Sequence, residues 1–252
     1  MGEFLSWRSY WDYSKTIQQK NRYIYNKQIK EFLKVVSETY IDRKYIIKKG
    51  TNLWRAQLGN DWGPIDQLGE ILDEIEYPLP PSKMKPLESQ ASEGRVNPKG
   101  IPCLYLSTDK ETAMSEVRPW MDSLTSVGQF KILKDLKLVD CSVKDKNTKF
   151  YFDEPDENER KKSVMSDIDE AFTRPITNND NMAEYAPTQV LGELFKVNGF
   201  DGIVYSSALN KGKNIALFDV NNAKQLNCFL FRVNSISFEF SEAANPYFII
   251  RK

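Results

Sequence analysis

The chain has 252 residues, with 35 Lys+Arg against 35 Asp+Glu, no histidine and three cysteines. That length fits one large domain or two small ones, and 40% hydrophobic with 28% charged residues marks a soluble globular protein rather than a disordered one. Without histidine there is no Ser-His-Asp or Cys-His device, no imidazole base and no imidazole zinc site, while the odd and scattered Cys103, Cys141 and Cys228 suit a reducing cytoplasm better than a CxxC pair or a disulfide framework.

Met1 to Ser6 satisfies the loose myristoylation pattern but is read as a chance match, and no apolar run approaches the roughly 20 residues of a membrane span, so no membrane association is expected. Residues 1–50 hold 11 Lys/Arg against 5 Asp/Glu. Ile29, Phe32, Leu33, Val36 and Tyr40 recur there at helical spacing, which predicts an amphipathic helix with a solvated basic face rather than a nucleic-acid surface. Residues 1–49 are therefore read as an N-terminal helical extension, and 50–252 as one α+β domain.

After Lys49-Gly50 come short apolar runs broken by turn residues. Leu53-Trp54-Arg55-Ala56-Gln57 reads as a first strand, and 59–100, rich in proline and glycine, as long loops over a binding face. Ile101 to Ser107 reads as a strand, and Thr108-Asp109-Lys110-Glu111 as the capping box of a helix running to Arg118 and stopped by Pro119. Phe130 to Val139 alternates like a strand, and the acidic, Asn-rich span 144–182 reads as a loop or irregular helical insertion. Pro187, Val190, Leu191, Leu194, Phe195 and Gly199 define a further helix and its end. Ile203 to Ser207 and Asn214 to Phe218 read as paired strands, with more strands near 229–240 and 246–251.

No phosphate loop, dinucleotide glycine fingerprint or calcium loop is present, and no metal site is expected. Four residues keep odd company. Glu116 lies about 60° from Ala113 around its helix, beside an apolar stripe of Ala113, Val117 and Trp120, with no basic residue three or four positions away. Tyr105 shares a strand face with Cys103 and Ser107. Arg55 shares one with Leu53 and Gln57, where an arginine is costly unless an anion meets it. Arg95 sits in the turn-rich Gly94-Arg95-Val96-Asn97-Pro98-Lys99-Gly100.

The segment GRVNPKGIPCLYLSTDKETAMSEV, with LWRAQ upstream and GFDGIVYSSALNKGKNIALFD downstream, resembles the RES domain over roughly residues 50–220, in the spacing of Arg95, Tyr105 and Glu116. The resemblance implies an ADP-ribosyltransferase-like mixed β-sheet core with flanking helices. It also implies a toxin of a bacterial toxin-antitoxin pair that consumes NAD and is neutralised by a protein partner, often Xre-like. NAD is then the substrate, and no cofactor is expected.

Scission of the nicotinamide N-glycosidic bond suits a histidine-free site, because the leaving group departs as a neutral molecule and needs no proton donor. The developing ribosyl cation needs a fixed carboxylate, for which Glu116 is the candidate. Arg55 and Arg95 would hold the phosphates, Tyr105 would stack on the nicotinamide or its ribose, and Ser207 would orient the ribose or the glutamate. The Tyr-x-Ser pattern favours Ser207, and turn length leaves Ser206 as its rival. Water as acceptor gives a glycohydrolase and phosphate a phosphorylase. A protein acceptor gives an ADP-ribosyltransferase, and a non-catalytic nucleotide-binding or partner-binding module is the remaining alternative.

Overall fold

Helices α1 (Ser9–Gln19) and α2 (Lys27–Tyr40) lead the chain. Asn26 starts α2 by accepting a hydrogen bond from the Ile29 backbone N–H at 2.9 Å, and the face carrying Ile29, Phe32, Leu33, Val36 and Tyr40 is buried, as the spacing predicts. The computed structural model describes residues 2–67, 70–87, 90–142, 151–174 and 182–241.

Eight strands form the main sheet: β1 (Lys44–Ile47), β2 (Asn52–Leu58), β5 (Leu104–Ser107), β6 (Leu124–Ile132), β7 (Leu136–Cys141), β8 (Gly202–Ser206), β9 (Lys213–Leu217) and β10 (Ala223–Arg232). Their spatial order is β1-β7-β8-β9-β5-β2-β6-β10, with β7 and β8 parallel and every other pair antiparallel. Strands β3 (Asp61–Gln67) and β4 (Glu70–Tyr77) form a separate two-stranded ribbon, followed by the single turn α3 (Pro81–Met84).

Strand alternation sends side chains to two cores. Val139, Cys141, Ile203, Tyr205 and Ala216 face a core completed by α1, α2, α5 (Glu157–Thr173) and α6 (Ala186–Val197). Leu136, Leu138, Val204, Ile215 and Leu217 face the opposite core with Leu53, Phe130 and Ile132. Helix α4 (Lys110–Glu116) packs on β2 through a small third cluster of Ala56, Ala113 and Val127. This mixed α+β arrangement is consistent with the ADP-ribosyltransferase-like fold. Among the described residues no helix is long and apolar enough to cross a membrane.

Several elements differ from the sequence reading. Much of 59–100 is ribbon rather than loop, since β3 and β4 pair from Asp61–Tyr77 to Gln67–Glu70. The cap of α4 is Asp109 rather than Thr108: its side chain accepts from the Thr112 backbone N–H at 2.7 Å. The helix ends at Glu116, so Trp120 escapes the buried stripe and is 67% exposed. Phe130 to Val139 spans two strands and the turn between them. Within 144–182, Asp156 caps a regular helix α5 whose Val164, Ile168 and Phe172 are fully buried despite the surrounding charge. The strand expected near 229–240 is β10, which starts at Ala223 and stops at Arg232. The strand expected at 246–251 lies outside the described residues.

Candidate active site

Strands β2 and β5 meet through the single pair Trp54–Ser107. Where they part, a cavity of about 510 Å³ opens, lined by Arg55, Gln57, Tyr105, Ser107, Glu116 and Asn214. A second lobe of about 290 Å³, walled by the Ser92–Arg95 loop, Cys103 and Tyr185, shares Arg55, Tyr105, Glu116 and Tyr205 with it. All four residues singled out in the sequence line this two-lobed cleft.

Glu116 is the last residue of α4 and is exposed to the cleft. Two neutral donors converge on one of its oxygens, with Ser207 Oγ donating to Oε1 at 2.6 Å and Asn214 Nδ2 donating to the same atom at 2.7 Å. Ser207 is itself held, because its Oγ accepts from the backbone N–H groups of Leu209 and Asn210, both at 3.1 Å. The turn between β8 and β9 packs against the start of α4 at Gly212, where a Cβ would strike the side chains of Asp109 and Thr112. Only glycine lets this turn approach closely enough to bring Ser207 to Glu116. Ser206 points away and donates to the Ser142 carbonyl at 3.1 Å, so Ser207 is the serine at the carboxylate.

Arg55 donates from Nη1 to the Tyr105 carbonyl at 3.0 Å, while its buried Nε has no partner. Burial lowers its pKa, although a guanidinium remains charged. Among the described residues no carboxylate pairs with it, so within them this cation lacks the anion its burial calls for.

Arg95 is differently engaged. Its Nη1 donates to the Phe172 carbonyl and its Nη2 to the Arg174 carbonyl at 2.7 Å, so both terminal nitrogens serve the C-terminal end of α5. Its guanidinium also lies over the Tyr205 ring, 5.5 Å from the centroid, and its Nε is buried without a partner. Helix α6 braces the Arg95 loop: Thr188 Oγ1 donates to the Arg95 carbonyl at 2.7 Å and Gln189 Nε2 to the Gly94 carbonyl at 2.9 Å.

Tyr105 lines both lobes, but its hydroxyl is committed. It donates to Asn97 Oδ1 at 2.7 Å and accepts from the Val96 backbone N–H at 3.0 Å. Burial raises its pKa well above the ordinary phenol value, so the group stays neutral and offers the cleft a ring wall rather than a proton. Burial likewise pushes the Cys103 thiol up to about 12, which leaves it a poor nucleophile.

The sequence reading missed Asn214 and Tyr205 as site residues. Asn214 opens β9, where an amide preceding Ile215-Ala216-Leu217 reads as the polar end of a strand. Tyr205 sits in an apolar strand and reads as core. They pair with each other across the β8–β9 hairpin and line the cleft with Glu116, and it is the approach to Glu116, 98 positions before Asn214, that is not local in sequence.

On this ADP-ribosyltransferase-like frame the sheet opens to a cleft lined both by a donor-held carboxylate and by an arginine that, among the described residues, has no carboxylate partner. Residues 72–238 match the family model of the RES domain, and the chain belongs to that family. Arg55 lies outside the matched span, whereas Arg95, Tyr105, Glu116 and Ser207 lie within it. The chain is similar to a chain in the crystal structure of the M. tuberculosis MbcT-MbcA toxin-antitoxin complex, at 13% identity and a TM-score of 0.45, covering 78% of this chain and 91% of that one. No curated protein sequence matches the chain.

Proposed function

We propose that the protein is a cytoplasmic toxin that degrades NAD by cleaving the nicotinamide N-glycosidic bond, with water or phosphate as acceptor. The observation that carries this reading is that Glu116 and Arg55 line both lobes of one cleft. A diphosphate satisfies the buried, unpaired guanidinium, and a ribosyl cation forming beside it satisfies the carboxylate. A binding module for anions has no use for a carboxylate facing the ligand.

The roles follow from what each group has left to give. Arg55 takes the larger share of the phosphate contacts, because among the described residues its Nη2 has no partner. Arg95, its terminal nitrogens committed to the end of α5, holds the wall and adds positive charge to it, Tyr105 and Tyr205 supply ring faces, and Glu116 faces the ribose with Ser207 fixing its orientation. Membership of the RES family supports a toxin paired with a protein antitoxin, for which an Xre-like protein is the expected partner. NAD is substrate rather than cofactor in this scheme.

Chromatography of NAD incubated with the purified protein, with and without phosphate, tests the reading. Release of nicotinamide together with ADP-ribose identifies water as acceptor, and a phosphorylated product appearing only with phosphate identifies the phosphorylase. Intact NAD after long incubation overturns the proposal. Expressed alone in bacteria, the protein should arrest growth as NAD falls, and undiminished growth despite measured NAD depletion would separate cleavage from toxicity.

A further inference from the structure

We infer that Asn214, its amide oriented by Ser107, is a positioning residue that decides which carboxylate oxygen of Glu116 meets the ligand, an inference that rests on the NAD-cleaving function proposed above. Ser107 and Asn214 are directly paired across β5 and β9, and their accessibilities are only 4% and 5%. Ser107 Oγ donates to Asn214 Oδ1 at 2.9 Å, and Asn214 Nδ2 donates to Glu116 Oε1 at 2.7 Å.

A side-chain amide has one accepting end and one donating end, and without constraint either can face either neighbour. Here two demands select one orientation. An ionised carboxylate can only accept, so it requires the nitrogen. The buried Ser107 hydroxyl hydrogen requires an acceptor, and Oδ1 supplies it. Flipping the amide would set its oxygen against the carboxylate and leave the serine hydrogen without its acceptor, two faults in a nearly dry site.

The consequence falls on Glu116. Its side chain leaves the last residue of a seven-residue helix and, among the described residues, no basic group pairs with it, so little else there limits its rotation. With Ser207 and Asn214 both ending on Oε1, the carboxylate is held from two directions. Oε2 has no partner among the described residues and is the oxygen presented to the ribose. A single donor would leave the group free to pivot about that contact, and a pivoting carboxylate loses the preorganisation that charge stabilisation requires.

Asn214→Asp is nearly isosteric. It keeps the acceptor for Ser107 and replaces the donor to Glu116 with a second negative group. Steady-state NAD cleavage and thermal melting of the wild type, Asn214→Asp, Ser107→Ala, Asn214→Ala and the Ser107→Ala/Asn214→Ala double variant test the inference. Asn214→Asp should lower kcat about 10- to 100-fold with KM within about threefold, the split expected when orientation rather than binding is lost. Ser107→Ala introduces no charge, so it still tests the relay should Asn214→Asp fail to fold. It should lower kcat less, and it should add nothing in the Asn214→Ala background, because it acts through the amide. Full kcat in Asn214→Asp, or a Ser107→Ala effect that persists undiminished without Asn214, overturns the inference while leaving an active wild type. A wild type that leaves NAD intact overturns the proposed function and the inference with it.

Discussion

Ser207 Oγ and Glu116 Oε1 stand 2.6 Å apart although 91 residues of chain separate them, and the hydroxyl that spans the gap is fixed by two backbone N–H groups of its own turn. A hydroxyl that already accepts two hydrogen bonds has its hydrogen left for the carboxylate. The direction of the contact is therefore set before any ligand arrives, which is the condition for a site whose charge is arranged in advance.

Removing that hydroxyl should cost catalysis more than stability. Ser207→Ala is expected to lower NAD turnover by about one to three orders of magnitude, equivalent to about 2 to 4 kcal/mol of transition-state stabilisation. Ser206→Ala, which loses only a contact to the Ser142 carbonyl, should turn over near the wild-type rate. Assaying the two single variants side by side settles the assignment, and the reverse ordering would move the role to Ser206.

Glu116→Gln preserves shape and keeps an oxygen that Ser207 and Asn214 can still address, but removes the charge opposing the ribosyl cation. Turnover should fall by at least about 100-fold while NAD binding, followed by calorimetry, persists. An active Glu116→Gln enzyme would falsify the assignment of the carboxylate.

The two arginines should separate by phenotype. Arg55→Ala removes a cation with donors to spare and should raise KM for NAD with little change in melting temperature. Arg95→Ala strips the donors from the Phe172 and Arg174 carbonyls at the end of α5, and should destabilise the fold by about 1 to 3 kcal/mol. Denaturant unfolding beside saturation kinetics measures both, and equal stability losses would contradict the division of labour.

Two acids on α5 should make stability depend on pH in an unusual sense. Burial and the neighbouring Glu170 push Asp167 up to about 7, and burial pushes Asp169 up to about 6 against the pull of Arg43. Both values lie above the unfolded carboxylate range, so between about pH 4 and 7 the folded state binds more protons than the unfolded one. Stability should therefore decline as pH rises through that window and level off above it. Melting curves from pH 5 to 8 should show this slope, and Asp167→Asn should flatten it and raise the melting temperature at pH 8. An unchanged slope in the variant would assign it to other groups.

What was legible in the sequence was what repeats locally. The 3.6-residue spacing of α2, the proline and glycine that bound α6, and the strand, turn and strand of β8 and β9 are each written within a dozen or so residues, and all are present. The block from Arg95 through Tyr105 to Glu116 contains three residues that line the two-lobed cleft. The ribbon of β3 and β4 was hidden because Gly63, Pro64 and a run of acids are poor strand formers that tertiary pairing overrides. Helix α5 was masked by charge, although Asp156 followed by Glu159 was an available capping signal. The Arg95 contacts to the end of α5 and the pairing of Asn214 with Ser107 exist only in the folded chain, so no window of sequence contains them.

Asp169 receives two hydrogen bonds from Arg43, at 3.2 and 2.8 Å, and one from the Tyr40 hydroxyl at 3.1 Å, and both donors precede residue 50. Trimming the chain to the span that matches the family model would leave this carboxylate buried and alone, one turn before Phe172, whose carbonyl Arg95 grips. The leading helices are thus splints for the cleft, and a minimal soluble fragment for screening or crystallisation has to carry them.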